Sequence, residues 1–133
     1  MNLILATVSN IENCDNLHIV KFDFQGATLS MMSLDINPNI KIGTKVKLIT
    51  KSTNIVLAKD LTGNISFSNE LKCTIKNIEN GKLLSSIKLQ IFDTLLESII
   101  TVDSSNKMDL KVGDEVTAFI QQSELSILEV LDN

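Results

Sequence analysis

The sequence predicts an all-β protein made of two tandem copies of one small barrel-like unit. Three observations carry this expectation. Hydrophobic residues make up 44% of the 133, and most are Ile, Leu and Val, which suit pleated surfaces. Apolar and polar positions alternate with period two in several runs, the pattern of a half-buried strand. Finally, the order of residues in the first half recurs in the second.

The repeat is read at an offset of about half the length. Asn10-Ile11-Glu12-Asn13 returns as Asn77-Ile78-Glu79-Asn80, and at the same spacing Asn2 meets Asn69, Leu17 meets Leu84 and Lys21 meets Lys88. Further on, Met32-Ser33-Leu34-Asp35 faces Ile100-Thr101-Val102-Asp103, and Lys41-Ile42-Gly43 faces Lys111-Val112-Gly113. The offset drifts because the first copy is shorter around Asn37-Pro38-Asn39. The units are placed at residues 1–60 and 69–133, with residues 61–68 as connector and opening motif. A unit of about 65 residues is marginal for an independent core, which favours fusion or assembly.

Within each unit the elements follow in order. Ile4, Ala6 and Val8 alternate with Leu3, Leu5 and Thr7 to form a first strand. Val20, Phe22 and Phe24 form a second, matched by Ile87, Leu89 and Ile91 in the second copy. Asn13 to Asn16 and Asn80-Gly81-Lys82 read as hairpin turns, and Gln25-Gly26 and Phe92-Asp93 mark the next ones. A short helix is expected from a cap at Asp103 or Ser104 to Met108, with Asn37-Pro38-Asn39 as its shrunken counterpart. Gly43 and Gly113 follow, where a positive φ is expected. Val46, Leu48, Ile55 and Leu57, with Val116, Ala118, Leu125 and Ile127, give the last strands. About five strands and one small helix per unit describe an OB-like barrel. The connector holds Leu61, Ile65 and Phe67 and is expected to be ordered.

Composition narrows the function. Residues 1–66 carry six lysines against five acids, and residues 67–133 six against eleven, with net charge −4 overall. An acidic second half and the lack of Trp and Tyr argue against a nucleic-acid groove. The N-terminal sequence shows no signal peptide and no membrane span. Cys14 and Cys73 are expected to be reduced and structural, as in a cytoplasmic protein. With His18 the sole histidine, a nucleophile-histidine arrangement lacks its base, and no metal-ligand spacing exists. No catalytic residue is assigned. Asp109, Asp114 and Glu115 are expected to form a solvated face.

What remains is a set of hydroxyl, amide and ammonium donors at matching places in both copies. Ser66, Ser68 and Asn69 precede the first strand of the second copy. Thr101 ends a strand, with Ser33 as its partner. Gln121 and Ser123 follow Ile120, with Lys51 and Thr53 as theirs. Neutral donors with one ammonium can hold a tetrahedral oxyanion by many short hydrogen bonds. The bland alternative is that these are ordinary turn and edge residues.

Ile100-Thr101, Ser104, Leu110, Gly113, Val116, Ala118, Ser123 and the alternating Leu125 and Ile127 resemble the TOBE domain. More narrowly, they resemble the molybdenum-pterin-binding (Mop) proteins and the effector half of molybdate-responsive regulators. The resemblance implies two tandem OB-like barrels, each with one short helix. It also implies molybdate or tungstate as bound ligand, with sites between units, and a homo-oligomer that is a dimer, trimer or hexamer. A cytoplasmic store, buffer or sensor is the expected role, with no nucleic-acid or membrane partner. A ligand-free regulatory or assembly module is the alternative. A Ser-Ala-Arg-Asn motif opens the family's site, and here Ser66-Phe67-Ser68-Asn69 stands in its place, so Ser68 replaces the Arg. A Lys-Ala-Ser motif closes it. The first copy keeps Lys51 and Thr53, while the second has Gln121-Gln122-Ser123. A complete site then combines Ser66, Ser68 and Asn69 with Lys51 and Thr53, from one chain or from neighbours.

Overall fold

The structure is a computed structural model that describes residues 1–131. Asp132 and Asn133, the last two positions of the expected 69–133 unit, lie outside the described residues. The strands are β1 (Asn2–Cys14), β2 (Leu17–Phe24), β3 (Ala27–Ser33), β4 (Lys45–Thr50) and β5 (Ile55–Ala58). These are followed by β6 (Asn69–Asn80), β7 (Leu84–Ile91), β8 (Thr94–Thr101), β9 (Glu115–Ile120) and β10 (Ser126–Leu131). One helix, α1 (Val102–Lys107), follows β8, and short 3-10 turns cover Ser52–Asn54 and Gln122–Glu124.

Each copy folds as an OB-like unit around one long strand. The first half of β1 pairs with β4 and its second half with β2. A bulge between Val8 and Asn10, repeated between Ile75 and Asn77 in β6, bends the strand so that the sheet curls. At each bulge a glycine closes the curl. Gly43 N–H donates to Val8 O at 2.8 Å, and Gly113 N–H to Ile75 O at 2.8 Å. Their φ angles are +94° and +93°, in the region where a side chain is disfavoured.

The sheets do not follow the sequence division at residue 60. One sheet runs β10-β4-β1-β2-β3 and the other β5-β9-β6-β7-β8. The halves therefore exchange their final strands: β5 pairs with β9, and β10 with β4. The physical reason lies in the turns at Ser52–Asn54 and Gln122–Glu124. Each directs the chain away from its own sheet and onto the edge of the other. Val20, Phe22, Leu29 and Leu48 of one half and Leu71, Ile87, Leu89 and Leu96 of the other join a single contiguous core.

Among the described residues a helix forms in only one copy. Thr101 is the N-cap of α1, accepting from Ser104 N–H at 3.1 Å. Helix capping therefore falls to Thr101, not to Asp103 or Ser104. The first copy makes a single turn instead, closed by Ile40 N–H to Asn37 O at 3.0 Å. With three residues fewer in this stretch and Pro38 in it, there is too little chain for a helix. The end of α1 is held by Lys59, whose Nζ donates to Met108 O at 3.3 Å, to Asp109 O at 3.0 Å and to Asp114 Oδ2 at 3.1 Å. Asp114 is thus part of a helix clamp and not simply a solvated acid. The Lys59 hydrogen bond holds its carboxyl below the ordinary aspartate range. In the connector, Phe67 packs on Phe119 with ring centroids 5.3 Å apart, while Leu61 and Ile65 stay exposed.

Candidate functional site

The two halves meet through reciprocal contacts made by equivalent residues. Asn2 and Asn69 open the two long strands, and each turns its amide onto the backbone of the other half's edge strand. Asn2 donates to Glu97 O at 2.9 Å and accepts from Glu97 N–H at 2.6 Å. Asn69 accepts from Ser30 N–H at 2.7 Å and donates to Ser30 O at 2.8 Å and Ile120 O at 3.0 Å. The side-chain amide acts as one more peptide unit, satisfying edge groups that would otherwise lose water without replacement. The tips of matching hairpins also touch: Phe24 lies edge-on to Phe92 at 5.5 Å, and Gln25 donates to Asp93 at 2.7 Å. This reciprocity defines an approximate twofold relation and creates two equivalent seams.

At the seam of Asn69, Gln122 Nε2 donates to Ser30 Oγ at 3.3 Å and also contacts Ser68 Oγ. Lys21 is the cross-strand partner of Ser30, and its ammonium has no carboxylate partner among the described residues. At the seam of Asn2 the equivalent positions hold different groups. Glu97 replaces Ser30 and faces Lys88, its own cross-strand partner. One Glu97 oxygen accepts from Ser52 Oγ at 2.9 Å, and the other from Ser86 Oγ at 2.6 Å and Lys88 Nζ at 2.8 Å. The Lys88 bond first, then the Ser86 and Ser52 hydroxyls, hold the Glu97 carboxyl down to about 2.

Between the seams the two 3-10 turns come together. Thr50 Oγ1 donates to Glu124 O at 3.0 Å, and Asn54 Nδ2 to Glu124 Oε2 at 3.1 Å. Lys51 and Ser123 line a shared cavity of about 150 Å³ beside these groups.

The expected residues thus fall into three places. Ser68 and Asn69 stand at one seam beside Gln122, the residue between Gln121 and Ser123, and exposed Ser66 lies just before them. Lys51 joins Ser123 at the central cavity, with Thr53 exposed on the adjoining turn. Asn69 has its amide fully engaged with backbone, which makes it a clamp between halves. Thr101 and Ser33 are taken up locally. Thr101 caps α1, and Ser33 Oγ donates to Asp35 O at 2.6 Å. Strand register also makes Ser33 the counterpart of Ile100, since His18 pairs with Ser33 as Ser85 pairs with Ile100. Among the described residues no hydrogen bond joins the Ser66–Asn69 segment to Lys51 or Thr53.

Ser30, Gln122, Ser52, Ser86 and Glu97 were not picked out by sequence reasoning. A signal for two of them existed. The repeat pairs Lys21 with Lys88, and two-residue hairpins at Gln25-Gly26 and Phe92-Asp93 set Ser30 and Glu97 opposite those lysines. Cys73 is buried, which pushes its thiol up to about 11, and Cys14 is exposed. Among the described residues no three of His, Cys, Asp and Glu gather as a metal site.

A TOBE-domain family profile matches residues 65–127. That match takes in the second copy and the last residues of the connector. Two solved structures show how far the likeness extends. Over 95% of this chain and 94% of the other, with a TM-score of 0.90 and 24% identity, the fold is that of ModG, a cytoplasmic molybdate-binding protein, in a form with molybdate bound. A molybdate binding protein from Sporomusa ovata is 36% identical over 50% of this chain and 100% of its own, with a TM-score of 0.49. None of the curated proteins compared matches the chain. The match begins inside the connector, so Ser66, Phe67 and Ser68 lie within the matched range.

Proposed function

We propose that this protein binds molybdate or tungstate in the cytoplasm and serves as a store, buffer or sensor of the oxyanion. The observation that carries this reading is the pair of reciprocal seams. Hydroxyl, amide and ammonium donors from both halves gather there, on the fold of a protein crystallised with molybdate. Donors suit a dianion because every oxygen of a doubly charged tetrahedral anion is an acceptor. Sulfate has the same charge and shape but is smaller, so fit of the donor shell decides preference.

No arginine is present in the sequence, so charge must be met by lysine. Lys21 at the Asn69 seam and Lys51 at the central cavity are the ammonium groups placed for this. Each charge-assisted bond is worth about 1.5–3 kcal/mol, roughly ten- to a hundredfold in affinity. Calorimetric titration with molybdate, tungstate and sulfate tests the reading directly. Heat of binding from the first two and little from sulfate is expected, and silence at millimolar molybdate and tungstate would remove the proposal. Lys51→Ala is expected to weaken binding by about tenfold.

Self-association accompanies the proposal. The outer face of the first sheet presents Leu3 and Leu5, 47% and 60% exposed, beside half-buried Ile49. An apolar strip of this kind favours a homo-oligomer. The same strip also favours a second reading, an assembly module without ligand. Sedimentation with and without molybdate separates the two: the assembly reading requires a ligand-independent oligomer that gives no calorimetric signal.

A further inference from the structure

The two seams are equivalent by descent but not by content. At one, a carboxylate sits at the centre of a donor set. Both Glu97 oxygens are engaged by two hydroxyls and an ammonium, from Ser52 in the 3-10 turn of one half and from Ser86 and Lys88 of the other. Two hydroxyls and a lysine at 2.6–2.9 Å form the kind of shell that would receive an oxyanion. At the reciprocal position the chain has Ser30, one hydroxyl in place of the carboxylate, with Gln122 where Ser52 stands and Lys21 where Lys88 stands. Lys88 is neutralised by Glu97, and Lys21 has no such partner among the described residues.

Resting on the oxyanion reading above, we infer that Glu97 is a resident anion that fills one of the two seams, leaving the Lys21–Ser30–Ser68–Gln122 seam as the one open to an external dianion. The argument is electrostatic and steric together. A second anion at the Glu97 seam would meet a carboxylate whose charge repels it and whose oxygens already hold the donors. A carboxyl held down to about 2 stays ionised at every pH where a protein of this kind works. The seam is therefore closed under all physiological conditions. Duplication followed by this change would leave a tandem protein with one working seam per chain.

Equilibrium dialysis against molybdate, with metal counted per chain, tests the inference on three full-length proteins. Glu97→Ser copies the residue of the open seam and is expected to add one molybdate per chain. Ser30→Glu copies the closed seam and is expected to remove one. Glu97→Gln keeps the bulk without the charge and is expected to leave the count unchanged. An unaltered count in Glu97→Ser overturns the inference. If that variant does not fold by circular dichroism, Ser30→Glu decides: loss of one molybdate supports the inference and retention overturns it. Failure of the broader reading looks different, because then the unsubstituted chain and every variant bind nothing. Binding by Glu97→Ser alone would uphold the role of Glu97 and remove the reading for the unsubstituted chain.

Discussion

The two halves share one strand order, yet they finish their barrels differently. In the second, α1 lies over the sheet end and Lys59 clamps its last carbonyls. The connector also lays Phe67 over Phe119, leaving that ring 3% exposed on the outer face. In the first, a single turn at residues 37–40 replaces the helix. A cavity of about 250 Å³ opens there between β3 and β10, lined by Met31, Ile36, Ile40 and Ile127. Ile49, the counterpart of Phe119, has no such cover, and Leu3 and Leu5 beside it stay exposed. Three residues, one connector and the exchange of Leu3 and Leu5 for Glu70 and Lys72 separate the two outer faces.

The largest test of this comparison concerns the reciprocal asparagines. Asn69 is fully buried and makes three hydrogen bonds to backbone, whereas Asn2 is 4% exposed and makes two. Asn69→Ala strands three buried groups and is expected to cost about 3 kcal/mol, and Asn2→Ala about 2 kcal/mol. Urea unfolding measures both, and equal costs would show that the two seams are energetically alike.

Removing the cover comes next. Phe67→Ala uncovers Phe119 and is expected to cost about 2 kcal/mol, less than a fully buried ring because Phe67 is itself half-exposed. It should also bare the Phe119 ring beside Glu70, its charged cross-strand partner, so self-association in sedimentation should change little.

The ion cluster gives a smaller, pH-dependent effect. The folded-state carboxyl of Glu97 lies at about 2, below its ordinary value of 4.5. Its contribution is therefore present above about pH 4.5 and is lost as pH falls toward 2. Glu97→Gln is expected to cost about 1–2 kcal/mol at neutral pH and to flatten the acid limb of stability between those values. An unchanged acid limb would mean that other carboxylates dominate it.

The smallest effect is expected at the glycines. A Cβ at Gly43 or Gly113 meets nothing within 4 Å, so substitution is opposed by backbone conformation alone. Gly43→Ala and Gly113→Ala should each cost about 1 kcal/mol, and by the same amount, since the φ angles match within a degree. Thermal denaturation of both variants checks this, and unequal costs would show that the curl is stiffer in one half.

Much of the fold was legible because it is written in local signals. Period-two runs such as Val20, Phe22 and Phe24 mark strands directly, and Gln25-Gly26 marks its hairpin by turn chemistry. The strand exchange was not legible. Ile55 and Leu57 alternate as any half-buried strand does, and nothing in that alternation tells which sheet edge receives it. The helix in the first copy was expected from symmetry, but chain length there decided against it. For the site, residue types pointed to donors, and Ser68 did reach a seam. The register that brings Ser30 and Glu97 under the other half's turns depends on long-range pairing, which motif matching does not see. Thr101 shows the opposite failure: a hydroxyl at a strand end has a local use as a cap before it has any other.

The traded strands bear on how such a protein can be cut or copied. Since β5 completes one barrel and β10 the other, neither half carries all the staves it needs. A break near Gly63 would yield two fragments that must find each other to become whole, each a lock whose key is held by its neighbour. A single-copy relative of either half would face the same want, and could meet it only by pairing with its own duplicate. The tandem chain turns that obligation between molecules into a bond within one.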